Sequence, residues 1–279
     1  MTLHRRAWLQ ASLASAASVA LAAFARQVRA ETFDHRHAAW SALLTKHVLP
    51  QRGGQASGVR YAGMAADRAL LKGVLDGLSA VDNPSFQAFS RAQQMAFLVN
   101  AYNAFTVELV LGKYPNLASI KDLGGVFSSP WKPKWITLLG AQVSLDDIEH
   151  GMLRQRGRYD DPRVHFAVNC ASVGCPPLRE EAFVADRLDA QLDEQAQRFM
   201  SDRSRNRFDT GRGRLEVSKI FDWYGEDFRL GHRGIRSLPG FMARYAQVLA
   251  DAPTDRERIR SERAEIGFGD YDWKLNDTR

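Results

Sequence analysis

The residues from Arg163 to Cys175, RVHFAVNCASVGC, hold both cysteines of the chain and one of its seven histidines. A cysteine that attacks a carbonyl must become a thiolate, so it needs a nearby histidine or helix N-terminus, a group that orients the histidine, and amide donors for the oxyanion. The sequence offers a side chain for each role. Cys170, which follows an apolar segment where a loop begins, is the candidate nucleophile.

Two histidines are candidate bases for Cys170. His150 lies on a predicted helix that packs against the RVHFAVN segment, and it is slightly preferred. His165 lies five residues before Cys170, which in a regular strand puts the two side chains on opposite faces about 16 Å apart, whereas a turn at Asn169 brings them together. Glu149 points about 100° away from its neighbour His150 around the helix, so it is better placed to orient His165 or to bind substrate. Both assignments of histidine and glutamate stay open.

Three asparagines complete the candidate site. Asn100 and Asn103 lie at helical spacing on one side of the apolar helix predicted for residues 91–112, and Asn169 directly precedes Cys170. Buried amides require hydrogen-bond partners. We expect them either to hold a substrate amide or an oxyanion, or to brace neighbouring loops.

Residues 1–30 have the pattern of an export signal. Arg5 and Arg6 precede an uncharged run, residues 11–24, that is too short to span a bilayer comfortably, and small residues lead up to Ala30. The order of residues resembles a twin-arginine signal, with cleavage after Ala30. The mature protein is then periplasmic, and we expect no stable membrane insertion after cleavage.

Arg26 and Arg29 leave an uncleaved membrane anchor as the alternative, because they interrupt the far end of the apolar run.

Removal of residues 1–30 lowers the count of basic residues from 38 to 34 and leaves the 32 acidic residues unchanged. A nearly balanced charge gives no reason to expect a nucleic-acid partner. Residues 31–279 are expected to form a single globular domain.

The predicted elements mix helices with short hairpins. Strand-like alternation around Gly140 and the turn residues near Gly211 predict two hairpins, and RVHFAVN reads as a short buried strand. Because no regular βαβ spacing occurs, we expect a helix-rich α+β domain with a small, mainly antiparallel sheet. The helical patterns lie at residues 34–49, 64–80, 91–112, 145–154 (capped by Ser144) and 181–201.

Five segments, in this order, resemble the domain of unknown function 547 family over about residues 85–276: FLVNAYNAF, SLDDIEHGMLR, HFAVNCASVGCPPLR, KIFDWYGEDF and YDWKLN. The resemblance implies a helix-rich α+β domain in which Cys170 and the pair Glu149-His150 are hallmark positions. It implies a lesser role for Cys175, which is often replaced in plant relatives. It also suggests a relation to papain-like or transglutaminase-like thiol enzymes.

Two functions are consistent with these residues. The first is an exported thiol-dependent acyltransferase or hydrolase that acts on a peptide-like or small amide substrate, with no cofactor and Cys170 as the nucleophile. The second is a non-enzymatic periplasmic binding or scaffold protein. Its cysteines would form a Cys170–Cys175 disulfide, or bind zinc together with His150 and His165, or remain inert buried thiols.

Overall fold

The computed structural model describes residues 33–125 and 129–278, so the predicted export signal lies outside the described residues. Helices dominate and the strands are short, which confirms the predicted helix-rich α+β class. The α-helices are α1 (Ala38–His47), α2 (Tyr61–Ala66), α3 (Arg68–Ser79), α4 (Asn83–Ala88), α5 (Arg91–Leu111), α6 (Val164–Ala167), α7 (Leu188–Met200), α8 (Ile220–Trp223), α9 (Leu238–Arg244), α10 (Ala246–Leu249) and α11 (Pro253–Arg260). A π-helical segment covers Asp147–Leu153, and 3-10 turns cover Arg52–Gly54, Ile120–Leu123, Ala185–Arg187, Gly225–Arg229 and His232–Gly234.

The strands of the described residues form three small sheets and not one. Both predicted hairpins are confirmed, and the hairpin around Gly140 turns at Leu139 and Gly140, whose φ values are 54° and 79°. The antiparallel pairs are β1 (Val48–Gln51) with β2 (Ala56–Val59), β3 (Ile136–Leu138) with β4 (Ala141–Val143), and β5 (Arg207–Asp209) with β6 (Arg214–Val217). Strand β7 (Ile266–Phe268) adds to β6 in parallel.

Helix α5 is the long apolar helix that the sequence predicts. It begins with a capping box, in which Ser90 Oγ accepts a hydrogen bond from the Gln93 N–H and Gln93 Oε1 accepts one from the Ser90 N–H. Sixteen of its 21 residues are buried, so α5 is surrounded by protein on most of its circumference. Its polar side chains must therefore find partners inside the molecule.

The buried apolar side chains form two clusters. The first surrounds α5 and includes residues from α1 to α7, whereas the second is rich in phenylalanine and spans α7 to α11. Helix α6 lies between them, because Val164 and Ala167 belong to the first cluster and Phe166 to the second. The segment that carries the candidate nucleophile therefore runs along the boundary between the two clusters.

The strand predicted for RVHFAVN is wrong, because residues 164–167 form the single turn α6. Just before this turn, Asp161 Oδ1 accepts a hydrogen bond from the Arg163 N–H at 3.0 Å, and at its end the Val168 N–H donates to Val164 O at 3.1 Å. The periodicity of a short apolar run cannot distinguish a strand from a helical turn when the run is buried on all sides.

Among the described residues, no helix has both the length and the apolar character that crossing a membrane requires.

Candidate functional site

A cleft of about 290 Å³ opens at the boundary between the two apolar clusters. The candidate nucleophile, both candidate histidines and the candidate glutamate of the sequence analysis all line it. Its polar walls carry Asp146, Glu149, His150, His165, Cys170 and Cys175.

The loop that carries the cysteines is held in one defined shape. Cys170 and Cys175 form a disulfide, with their Cα atoms 6.2 Å apart. The Cys170 N–H also donates to Cys175 Sγ at 2.9 Å, and the Cys175 N–H donates to Ser172 O at 3.0 Å. Ala171 adopts a left-handed backbone with φ of 62°, and its N–H donates to Asn169 Oδ1 at 2.9 Å. The chain around Cys170 is therefore a tight, hydrogen-bonded turn.

The C-terminal segment, residues 271–276, covers this loop. The Val173 N–H donates to Lys274 O and the Gly174 N–H to Asp272 O, both at 2.8 Å. A Cβ atom on Gly174 would lie 3.0 Å from both the backbone N and the backbone O of Asp272. A side chain at this position would therefore crowd the backbone where the loop and the C-terminal segment meet.

Tyr271 connects that segment to the sulfur atoms. Its hydroxyl lies 3.1 Å from Cys170 Sγ and 3.2 Å from Cys175 Sγ. Burial raises the pKa of Tyr271, so the phenol keeps its proton and can donate it in a hydrogen bond to a sulfur.

His165 is fixed by a carboxylate that the sequence analysis did not identify. Its Nε2 lies 2.7 Å from Oδ2 of Asp227, and Arg154 Nε donates to the same oxygen at 2.5 Å. Burial acts to raise the pKa of Asp227, but the hydrogen bonds from His165 and Arg154 outweigh it and hold the pKa below its usual value. The phenol ring of Tyr224 stacks on the imidazole with ring centroids 4.0 Å apart.

The tautomer of His165 follows from this contact. An ionised carboxylate only accepts hydrogen bonds, so Nε2 carries the proton of the neutral ring and Nδ1 keeps a lone pair. Within residues 33–125 and 129–278, Nδ1 is buried and has no hydrogen-bond partner. His165, which lines the cleft, therefore has an unused proton acceptor at Nδ1.

His150, the base that the sequence slightly prefers, is in a different situation. Arg154 donates a hydrogen bond to its Nδ1 at 2.8 Å, which occupies the lone pair of the neutral ring. Its side chain is 42% exposed, and its Nε2 lies 3.8 Å from Asp146 Oδ1. His165 is therefore the better candidate for the base.

Glu149 is buried in the wall of the cleft at 7% exposure. It accepts hydrogen bonds from the hydroxyls of Tyr102 and Tyr224, and burial together with the charge of Glu149 raises the pKa of both phenols. Asp227, and not Glu149, holds the ring of His165. Glu149 remains available to a ligand in the cleft.

The three asparagines lie outside the lining of the cleft. The side chain of Asn100 donates to Phe183 O at 2.7 Å and accepts from the Phe183 N–H at 3.0 Å. Asn103 donates to Ala167 O at 2.9 Å and accepts from the Asn169 N–H at 2.8 Å. Asn169 uses its own side chain within the cysteine loop. Their amides brace the backbone on both sides of Cys170, which is the second of the two roles expected for them.

The zinc alternative has no ligand set in the part of the chain that the structure describes. There, no group of three or more His, Cys, Asp or Glu side chains is arranged to hold a metal ion. Both cysteine sulfurs are bonded to each other, and Asp227 and Arg154 engage His165 and His150.

Asp227, Arg154 and Tyr271 are the site residues that the sequence analysis did not assign. Two of them lie in segments that carried the family resemblance, Asp227 in KIFDWYGEDF and Tyr271 in YDWKLN. No spacing rule links residues 62 or 101 positions apart, so only the fold brings them to His165 and Cys170.

The comparison with protein families matches residues 86–200 to the model described as "Protein of unknown function, DUF547". No curated protein and no solved structure matches the chain. The matched segment contains α5, the π-helical segment, α6, the cysteine loop and α7, and it is shorter than the resemblance over residues 85–276. It includes Glu149, His165 and Cys170, whereas Asp227 and Tyr271 lie beyond its end. The match over residues 86–200 supports the resemblance of the chain to the domain of unknown function 547 family.

Proposed function

We propose that this protein is an exported, thiol-dependent acyltransferase or hydrolase that acts on peptide-like or small amide substrates, with Cys170 as the nucleophile. One observation carries the proposal: a single cleft is lined by Cys170 and by His165, whose Nε2 is held by Asp227 and whose buried Nδ1 has no partner among the described residues. A nucleophile, a base and a group that orients the base are the parts that covalent catalysis by cysteine requires. The proposed periplasmic location rests on the signal-like residues 1–30.

The proposed reaction starts from the reduced protein, because a sulfur in a disulfide is not a nucleophile. A dithiol reductant attacks the Cys170–Cys175 bond through a mixed disulfide. The reductant leaves as its own disulfide, and both cysteines become thiols. The closed bond therefore represents a resting form.

The acyl transfer then needs one proton acceptor. His165 Nδ1 takes the proton of Cys170, and the thiolate attacks the substrate carbonyl carbon. When the C–N bond breaks, the imidazolium returns its proton to the leaving amine and a thioester remains. Water or an acceptor amine gives a proton to Nδ1, attacks the thioester and releases Cys170. Asp227 stabilises the imidazolium, and the hydroxyl of Tyr271 stabilises the thiolate.

Acylation by a small activated ester tests this proposal. We expect the reduced protein to release nitrophenolate from p-nitrophenyl acetate in a burst and to gain one acetyl group on Cys170, detected by intact mass and peptide mapping. Cys170→Ser and Cys175→Ser form a matched pair, because each removes the disulfide. Only Cys175→Ser should acetylate at the remaining cysteine, and it should do so without a reductant.

The base is tested in the same assay. His165→Gln should slow acetylation of the Cys175→Ser protein by about a hundredfold, the lower range of general-base catalysis. Equal acetylation of Cys170→Ser and Cys175→Ser, or an unchanged rate in His165→Gln, would contradict the proposal.

The closed disulfide favours a second candidate, a non-enzymatic periplasmic binding or scaffold protein in which the bond is a permanent brace. In that case Cys170→Ser and Cys175→Ser lose stability to the same extent, and neither is acetylated. The same pair of variants therefore separates the two functions.

A further inference from the structure

The cleft contains two carboxylates, the buried Glu149 and the partly buried Asp146, that lack a close lysine or arginine partner among the described residues. Ionised carboxylates are rarely buried without a paired charge, because desolvation is costly. Among the described residues, no Lys or Arg nitrogen lies within ion-pair distance of Asp146 or Glu149, and His150 is the one partner close to either, at 3.8 Å and 4.0 Å respectively. The side of the cleft that the π-helical segment forms therefore carries two acidic groups without a close lysine or arginine partner.

The cations near these carboxylates are engaged elsewhere. Arg154 influences Glu149 through space, but its Nε donates a hydrogen bond to Asp227 at 2.5 Å and its Nη1 donates one to His150 at 2.8 Å. Lys132 acts on Asp146 only as a more distant charge. Burial raises the pKa of Asp146, because desolvation disfavours its charged form. A bound cation would remove this cost.

The rest of the rim is aromatic. Trp131 and Trp223 have ring centroids 6.0 Å and 5.6 Å from that of Trp273, and Tyr271 packs against Trp273 at 4.5 Å. Trp223 is 44% exposed although the residue is large and apolar. Half of the six tryptophans of the chain therefore line this one cleft.

The aromatic rings already bind cations from the chain itself. Lys121 Nζ lies 4.6 Å from the ring centroid of Trp273, and the guanidinium of Arg154 lies 4.8 Å from that of Tyr224. Such ring faces attract positive charge, most strongly where water is excluded. Aromatic faces combined with unpaired carboxylates favour a cation over a neutral or anionic ligand.

We infer that this cleft binds an aliphatic ammonium group of a ligand, as in a lysine side chain, between the carboxylates of Asp146 and Glu149 and the tryptophan rim. Asp146 lies next to the rim, since its N–H donates to Trp131 O at 3.1 Å. Glu149 lies deeper and is oriented by Tyr102 and Tyr224. The inference deepens the proposed function, because it adds an amine to the class of peptide-like substrates.

Binding is measured on the purified, disulfide-closed protein, in which Cys170 cannot react, so that failure of binding and failure of the thiol chemistry are separate results. Three blocked amino acids serve as probes: N-acetyl-lysine methylamide, its neutral analogue N-acetyl-norleucine methylamide and the anionic N-acetyl-glutamate methylamide. Tryptophan fluorescence and titration calorimetry report binding. We expect the lysine probe to bind at least about tenfold more tightly than the norleucine probe.

Two matched pairs of variants locate the site. Asp146→Asn and Trp223→Leu should each weaken binding of the lysine probe by about tenfold. Asp76→Asn removes an exposed carboxylate paired with Lys72, and Trp135→Leu removes a partly exposed tryptophan outside the cleft, so neither should change binding. Equal affinity for the lysine and norleucine probes, equal effects within a pair of variants, or tighter binding of the glutamate probe than of the lysine probe would overturn the inference.

Discussion

Asp227→Asn is the substitution that probes the newly identified partner of His165 most directly. Oδ2 of Asp227 accepts hydrogen bonds from both His165 and Arg154, and Oδ1 accepts one from Arg154 Nη2 at 3.3 Å. An asparagine must place its NH2 group against one of these donors. The variant therefore keeps one acceptor, loses the negative charge and creates a contact between two donors.

The expected loss of stability is about 3 kcal/mol. Breaking a buried ion pair by removal of one partner costs about 3–5 kcal/mol, and the lower end applies here because the Arg154 side chain is 23% exposed and can regain water. Urea denaturation at neutral pH measures this loss. Asp222→Asn, which removes an exposed carboxylate 2.8 Å from Lys219, is the control and should cost less than about 1 kcal/mol.

The pH dependence gives an independent check of the same pair. The folded-state pKa of Asp227 is lowered, so its stabilising contribution is fully present above the unfolded value of about 3.9 and is lost as the pH falls through the folded value. The difference in stability between the wild type and Asp227→Asn should therefore be constant from neutral pH to about pH 5 and shrink below about pH 4. A loss no larger than that of the control, or a difference in stability that does not change in acid, would show that Asp227 does not stabilise the fold as an ionised carboxylate.

Three further changes test the supports of Cys170. Asn103→Ala leaves the Ala167 carbonyl and the Asn169 N–H unpaired, so it should lower the free energy of unfolding, measured with urea, by about 2–4 kcal/mol. The control Gln87→Ala, at an exposed residue, should change it by almost nothing, and equal effects would show that the two hydrogen bonds of Asn103 do not stabilise the fold. Gly174→Ala should lower the free energy of unfolding by about 1–3 kcal/mol and make the C-terminal segment more sensitive to limited proteolysis, because the added Cβ crowds the backbone of Asp272. An unchanged digestion pattern would contradict this close approach. In the reduced protein, Tyr271→Phe should slow alkylation of Cys170 at neutral pH several-fold, since the thiolate loses a hydrogen-bond donor. An unchanged rate would show that Tyr271 does not stabilise the thiolate.

The elements with a long, clear pattern could be predicted from the sequence. Helix α5 has an apolar pattern over 21 residues, a capping box at Ser90 and Gly112 at its end, and all three signals agree. The hairpin of β3 and β4 could be predicted because Gly140 interrupts the alternation. The α6 segment could not, since four buried residues between two apolar clusters have no exposed face that would reveal their period.

The sequence predicts several residues of the candidate site but not the hydrogen bonds that join them. Reactive residue types identified Cys170, His165 and Glu149, and all three line one cleft. The pairing of His165 with Asp227 depends on how the two apolar clusters meet, which no local pattern encodes. Asn100 and Asn103 show the limit of such a prediction. A polar residue on an apolar helix indicates a buried hydrogen-bond partner, but the sequence does not distinguish a substrate from the backbone as that partner.

The central claim is that Cys170, once free, is activated by His165. Cys175→Ser leaves one cysteine in the chain, so the rate of its alkylation by iodoacetamide from about pH 5 to about pH 9 reports Cys170 alone. We expect an apparent thiol pKa well below the reference value of about 8.5, and a rise toward that value when His165 is also replaced by Gln. A pKa at or above about 8.5 that does not respond to His165→Gln would contradict it.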